Sequence, residues 1–224
     1  MLFRSASDYG NGGAVYIYAN SGEISFTNCS FDSNEAHTNK TSFDNDHAAG
    51  GAIYINAADS SYSGSSVIFD TCQFTNNVSQ GHGGAIMQRL PYNYPAILKD
   101  CTFYENRIDT SSINYKGSAI AYFNTSAYPV YFSGAVTWGD GQNIYIPSTG
   151  GNAKVGVASA LTVKDTTYDA TVIPIVFDSV SVGNTIITNS STSTATLADE
   201  VGNFSAEKSD GTTYSIDTDG KIAL

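Results

Sequence analysis

The sequence predicts an all-β solenoid, a stack of about five coils of short strands with a small β-rich region after it. Two recurring phrases and one conserved parity carry that expectation. The first phrase is Gly-Gly-Ala-aliphatic, at Gly12–Ile17 (GGAVYI), Gly50–Ile55 (GGAIYI) and Gly83–Ile86 (GGAI), then altered at Gly117–Ile120 (GSAI) and Gly141–Ile146 (GQNIYI). The second phrase follows the first three copies, at Ile24–Asn34, Val67–Asn77 and Ala96–Asn106. It places Cys, Phe and Asn at fixed intervals: Cys29, Phe31 and Asn34; Cys72, Phe74 and Asn77; Cys101, Phe103 and Asn106. A self-similar unit of this length is the signature of a repeat architecture, in which each unit buries its apolar face only by stacking on neighbours.

Each element follows from parity. Along Gly12–Tyr18, Val15 and Ile17 point one way and Tyr16 and Tyr18 the other, the period-2 alternation of a strand. Ile53 and Ile55, Ile86, Ile120, and Ile144 with Ile146 keep that parity, and a slip of one residue would turn every core side chain outward. In the second phrase Ile24 and Phe26, Val67 and Phe69, Ala96 and Leu98, and Val130 and Phe132 face inward, and after a bend the Cys and Phe places continue inward. A fourth copy, Val130–Asp140, puts Ala135, Thr137 and Asp140 in the Cys, Phe and Asn places. A place that takes Cys or Ala is a small buried one. Three cysteines cannot pair off within one chain, and no CxxC or HxxxH spacing points to zinc. Asn34, Asn77 and Asn106 fall at a repeated bend, where stacked carboxamides bond one another, so they are expected to form a structural ladder. The stretches Glu35–Ala49, Ala57–Ser65 and Arg107–Lys116 are polar and variable in length, and are expected as protruding loops.

The pairing of GGA[IV] with FxxN resembles the repeats of chlamydial polymorphic membrane proteins and of related adhesin-like surface proteins of gut bacteria and archaea. Three pairs carry the likeness: Gly12–Val15 with Phe31–Asn34, Gly50–Ile53 with Phe74–Asn77, and Gly83–Ile86 with Phe103–Asn106. The resemblance implies a right-handed parallel β-helix, secreted and exposed at a cell surface, and covers about two thirds of the chain. From it we expect residues 1–149 to be the β-helix and residues 150–224 a β-rich cap or degenerate coils. Short strands are predicted there at Lys154–Val157, Ala160–Val163, Val172–Phe177, Thr185–Thr188, Thr213–Ile216 and Lys221–Leu224, with hairpin turns at Asp210-Gly211 and Asp219-Gly220.

Composition narrows the function. Charged residues are 14% and the net charge is −11, with ten Lys and Arg in all, which argues against nucleic acid and against anionic lipid. No run of about eighteen apolar residues exists to cross a membrane as a helix. Met1–Arg4 is not the start of a signal peptide, and the chain begins partway into a repeat, so we expect a segment of a longer secreted protein. No cofactor is implied.

The expected role is that of an adhesin-like module binding a protein or glycan of a host or neighbouring cell. Outward aromatics are the candidate binding residues: Tyr16 and Tyr54 hold the same place in successive copies, and Tyr92 and Tyr94 lie in a nearby loop. Asp44 and Asp46 offer oxygen ligands to calcium, although the full spacing of a calcium loop is missing, so no metal is expected. Catalysis is not expected either. Gly81-His82-Gly83 matches a tripeptide of polygalacturonases without the accompanying acidic pair. Asp70 and Asp100 read as equivalent outward places of adjacent copies, yet other copies carry no acid there. The alternatives are a polysaccharide lyase or hydrolase, and a purely structural stalk or tailspike-like shaft.

Overall fold

A computed structural model describes residues 4–6, 10–18, 22–38, 48–56, 66–89, 95–109, 116–122, 129–148, 154–164, 172–191 and 193–224. After β1 (Arg4–Ala6), the first full coil holds β2 (Val15–Tyr18), β3 (Glu23–Thr27), β4 (Ser30–Asp32) and β5 (Glu35–His37). The next two supply β6 (Ile53–Asn56), β7 (Ser66–Asp70), β8 (Gln73–Thr75) and β9 (Val78–Ser79), then β10 (Ile86–Arg89), β11 (Ala96–Lys99), β12 (Thr102–Tyr104) and β13 (Arg107–Ile108). After them come β14 (Ile120–Tyr122), β15 (Val130–Trp138), β16 (Ile144–Ser148), β17 (Val155–Lys164), β18 (Ile173–Ser179) and β19 (Ile187–Asn189). A single helical turn, α1 (Leu197–Glu200), precedes β20 (Phe204–Lys208), β21 (Thr213–Ile216) and β22 (Ile222–Ala223).

Equivalent strands of successive copies pair in parallel. They build three sheets: β1-β5-β9-β13, a second running β2-β6-β10-β14-β16-β18-β20, and a third that joins β3-β7-β11 to β4-β8-β12 through the long β15. The chain is thus all-β with mainly parallel sheets, an arrangement compatible with a β-helix. Register follows the repeat, with Ile17↔Ile55↔Gln88 and Phe26↔Phe69↔Leu98 on the inner face. Parallel pairing crosses residue 150, since β15 pairs β17 and β16 pairs β18. The chain then turns antiparallel, β20-β21-β22, through turns at Gly211 and Gly220, both with positive φ.

Between the sheets lies one apolar core that runs from Ile17 to Ile222. Its interior is ordered by like-on-like stacking. The Phe31, Phe74 and Phe103 rings lie parallel, 5.0 and 4.9 Å apart, and Trp138 continues the column at 4.9 Å. A second column pairs Phe26 with Phe69 at 5.1 Å. Cys72 and Cys101 are fully buried and Cys29 partly so; all three are free, and the Cys72 and Cys101 Sγ atoms donate to the carbonyls of Phe26 and Phe69 in the preceding coil, both at 3.3 Å. Burial pushes the Cys101 thiol up to about 12, which makes it an inert packing group.

The glycine pair answers two different demands. The first glycine of each copy, 12, 50, 83, 117 and 141, has φ between +68° and +83°, where an L side chain is strained. The second lies against the next coil: a Cβ on Gly84 would sit 2.0 Å from the Ser118 carbonyl oxygen, and one on Gly51 2.0 Å from that of Gly84.

Four sequence expectations need correction. The stretches from Glu35 and from Arg107 open with strands β5 and β13 of a sheet that the repeat phrases did not reveal. In the fourth copy Ser133 pairs with Lys99 but Thr137 with Thr102, so one extra residue lies between them and Trp138 pairs with Phe103. The extra residue follows Gly134, which keeps the left-handed bend place of Asn28, Thr71 and Asp100 with φ +70°. Val136 and Trp138, not Ala135 and Thr137, therefore hold the buried Cys and Phe places. Asp70 and Asp100 are not equivalent either. Asp70 lies in register with Thr27 and Lys99, forming an ion pair with Lys99 at 2.9 Å, while Asp100 sits one place later, at the bend with Asn28 and Thr71. Finally, β17 merges two predicted strands, and β20 was not foreseen.

The close approach at the second glycine can be tested by thermal or urea unfolding. Gly84→Ala should lose about 3 kcal/mol or more, because the atom it meets is backbone and cannot move aside. Gly202→Ala, with nothing within 4 Å of its Cβ, should stay within about 0.5 kcal/mol of the parent.

Candidate functional site

Among the described residues, polar groups gather at the carboxamide ladder, in a cluster on the outer face of the second sheet, and in a groove beside β13. The ladder is continuous. Asn34 donates both its backbone N–H and its Nδ2 to Asn77 Oδ1, at 3.0 and 2.9 Å. Asn77 does the same to Asn106 Oδ1, at 3.2 and 2.8 Å. The Nδ2 groups of Asn77 and Asn106 also donate to the carbonyls of Phe31 and Phe74, at 2.8 Å. All three Asn residues are buried. The left-handed backbone falls one place earlier than the ladder Asn, at Ser33, Asn76 and Glu105. In the shifted fourth copy the rung is Gln142, not Asp140: its Oε1 accepts from Asn106 N and Nδ2 at 3.2 and 2.9 Å, and its Nε2 returns a bond to Asn106 O at 2.9 Å.

The outward row of the second sheet is not an open aromatic ledge. Tyr54 is completely buried, in a cluster with Ala49, Met87, Ala121 and Tyr145. Tyr16 stays 48% exposed, but one face is spent on Tyr54, with the rings parallel and 5.3 Å apart, and its hydroxyl accepts a bond from Asn56 Nδ2 at 2.7 Å. Burial leaves Tyr54 no free ring face for a sugar, whereas Tyr16 keeps about half of its surface open. Tyr92, Tyr94, Asp44 and Asp46 lie outside the described residues. Among the described residues no group of three or more His, Cys, Asp or Glu side chains could hold a metal ion.

His82 is explained by the same row. Its ring stacks on Tyr145, 5.4 Å away and 3° from parallel, and its Nδ1 accepts the Lys116 backbone N–H at 3.0 Å. The Asn11 carboxamide serves the same place two coils earlier, its Oδ1 accepting from Ala49 N at 3.0 Å. The Lys116 ammonium lies over the Tyr145 ring and pairs with Asp178, to which the Tyr145 hydroxyl also donates. Burial holds His82 down to about 4. Burial also raises the Tyr145 hydroxyl, and its hydrogen bond to Asp178 adds to the rise. Burial alone would raise Asp178, but hydrogen bonds from Lys116, Tyr145 and Ser209 outweigh it and leave the carboxyl below its usual range.

The groove arises because the fourth coil is short. After Trp138 the chain reaches β16 through residues 139–143, whereas the earlier coils insert a strand of the first sheet, so that sheet stops at β13. In its place opens a groove of about 990 Å³, whose lining includes Glu105, Arg107, Ile108, Asp140, Val176 and Glu207. Its floor is fixed by named bonds. Trp138 Nε1 donates to Gln142 O at 2.8 Å, Ser118 Oγ to Gly141 O at 2.7 Å, and Asn143 N to Ser118 Oγ at 2.8 Å. Sequence reasoning missed this site, because it depends on a strand that the fourth copy omits.

Compared with known proteins, residues 71–87 match the family model described as the Chlamydia polymorphic membrane protein repeat. The matched stretch holds Phe74, Asn77 and the Gly83–Ile86 phrase, the residues that build one Phe step, one ladder rung and one glycine turn. No match was found among curated proteins or among solved structures. Among the described residues no helix is long and apolar enough to cross a membrane.

The buried imidazole makes stability pH-dependent in a defined window. Between pH about 6.5 and 4 the unfolded chain binds a proton at His82 that the folded chain refuses, so stability is highest above the window and falls as pH drops through it. The loss at this site should approach about 3 kcal/mol. His82→Asn keeps an acceptor for Lys116 N–H, as Asn11 does for Ala49, and should flatten the melting temperature between pH 6.5 and 4.5. An unchanged slope would remove His82 as its source.

Proposed function

We propose that this chain is a module of an adhesin-like protein exposed at a cell surface. In this reading it binds a protein or glycan of a host or neighbouring cell through the groove beside β13, without chemistry of its own. Residues 1–149 act as a right-handed parallel β-helix of about five coils, and residues 150–224 cover its last coil. The match to a surface-protein repeat at 71–87 supports the setting. The observation that carries the binding role is the groove itself. At about 990 Å³ it is of the size that takes a ligand, its floor is held by hydrogen bonds between side chains and backbone, and its rim presents exposed groups of both signs, Glu105 and Asp140 beside Arg107. Rigid backbone under variable, exposed side chains is how a scaffold supports recognition.

One observation favours a second reading. Glu105, Asp140 and Glu207 bring three carboxylates to a single groove, and sugar hydrolysis uses two carboxylates across a cleft. Under that reading the protein is a carbohydrate-active enzyme.

A single experiment separates the two. The protein is passed over an array of purified glycans and extracellular-matrix proteins, and any polysaccharide retained is assayed for reducing-sugar release. Binding without release is expected, and Arg107→Ala/Asp140→Ala/Glu207→Ala should weaken it at least about tenfold with the fold intact. Equal binding by the triple variant would move the site elsewhere. Reducing-sugar release would replace binding with catalysis.

A further inference from the structure

We infer that the N-terminal face of the stack is a docking face for one more coil of the same repeat, entering through Arg4 and presenting an Asn at the ladder place. In each described rung, one side-chain oxygen accepts two hydrogen bonds from the Asn of the coil before it: Asn77 Oδ1 from Asn34, Asn106 Oδ1 from Asn77, Gln142 Oε1 from Asn106. Asn34 stands first in this series. It is 2% exposed, and its Oδ1 has no hydrogen-bond partner. A buried acceptor left unmade is costly, and the two donors it lacks are those an Asn one coil earlier provides everywhere else in the ladder.

The sheets identify the occupant independently. The first sheet begins one strand before the other two: β1 already covers β5, whereas β2, β3 and β4 are edge strands. Arg4 is in register with Glu35, Glu35 with Val78, and Val78 with Arg107, each of the last three directly following its ladder Asn. β1 is therefore the closing strand of a coil, and that coil's partners would lie on the edges of β2, β3 and β4. Core-type side chains at those edges are correspondingly half-covered. Val15, Ile24, Phe26 and Cys29 are only partly buried, while Ile53, Val67, Phe69 and Cys72 in the same places one coil later are fully buried.

Among the described residues the far end offers no such ladder face. Gln142 terminates the ladder by folding its Nε2 back on Asn106 O, and the antiparallel β20-β21-β22 run finishes the second sheet. The stack is extensible in one direction, and the occupant is a coil with apolar inward strands, a Phe to continue the ring column and an Asn for Asn34.

The test replaces Met1–Phe3 by a duplicate of Gly50–Asn77, so that an Asn precedes Arg4 as Asn77 precedes Val78. The melting temperature should rise by about 4 °C or more, and at least half of the rise should vanish when the duplicate's terminal Asn is made Leu. No rise in a folded chain, or a rise indifferent to that Asn, overturns the proposal. Should the extended chain fail to fold, the parent decides. Asn34→Leu should lower its melting temperature less than Asn77→Leu, because Asn34 Oδ1 accepts nothing and Asn77 Oδ1 accepts two bonds. Equal or greater loss at Asn34 overturns the inference, as does concentration-dependent dimerisation of the parent that Asn34→Leu abolishes, which would make the occupant a second copy.

Discussion

Successive coils stand one strand spacing apart, about 4.8 Å, and that distance sets the terms for every side chain in the protein. At this separation identical residues meet identical residues. Phe31, Phe74 and Phe103 stack face to face, each ladder Asn bonds the Asn below it, and each buried thiol reaches the carbonyl of the coil before. The same distance forbids a Cβ at Gly13, Gly51 and Gly84, where it would strike a backbone oxygen of the neighbouring coil. The repeat is therefore a list of what can be stacked on itself at close quarters.

Much of this was legible in the sequence, because stacking converts geometry into repetition. The parity of Ile53 and Ile55 against Ile17, Ile86 and Ile120 fixed the inner face, and the spacing of Cys72, Phe74 and Asn77 located the second bend and the ladder. What escaped had no repetition to announce it. Glu35–His37, Val78–Ser79 and Arg107–Ile108 share a sheet, but strands of two or three residues show no alternation. The fourth copy gains one residue between Ser133 and Thr137 and its rung falls two places beyond Asp140, on Gln142, so a count of fixed intervals missed it. The Tyr16–Tyr54 row was visible as a column of aromatics, but the column's internal stacking decides its exposure, and that is a three-dimensional fact. The His82–Tyr145 contact joins residues far apart in the chain, although the shared repeat place of His82 and Lys116 was a usable signal.

The candidate binding groove comes from the same logic run in reverse. A coil that drops one of its strands leaves its neighbour's edge exposed, and here the shortened fourth coil leaves β13 bordering a groove floored by residues 139–143. Nothing new is built to make the site. A scaffold of stacked copies generates a concavity wherever one copy is shorter than the last, and its lining is drawn from the places the repeat does not constrain, such as Glu105, Arg107 and Asp140. The same lining also includes Asn106, Gly117, Gly141 and Gln142, which the ladder and the glycine turns fix in place.

The direction of the ladder has a mechanical corollary. The covalent chain runs around the stack, while the carboxamide and sheet hydrogen bonds run along it. A load applied along the axis therefore falls on bonds between coils rather than on the backbone. Such bonds are loaded one rung after another, so the structure would yield by peeling, a coil at a time, with each released coil paying out slack before the next rung takes the strain. Peeling would begin at the end whose first rung is least engaged, at Asn34, while the Gln142 end, with its return bond to Asn106, resists longest. A tether that gives way in small steps dissipates a sudden pull instead of transmitting it.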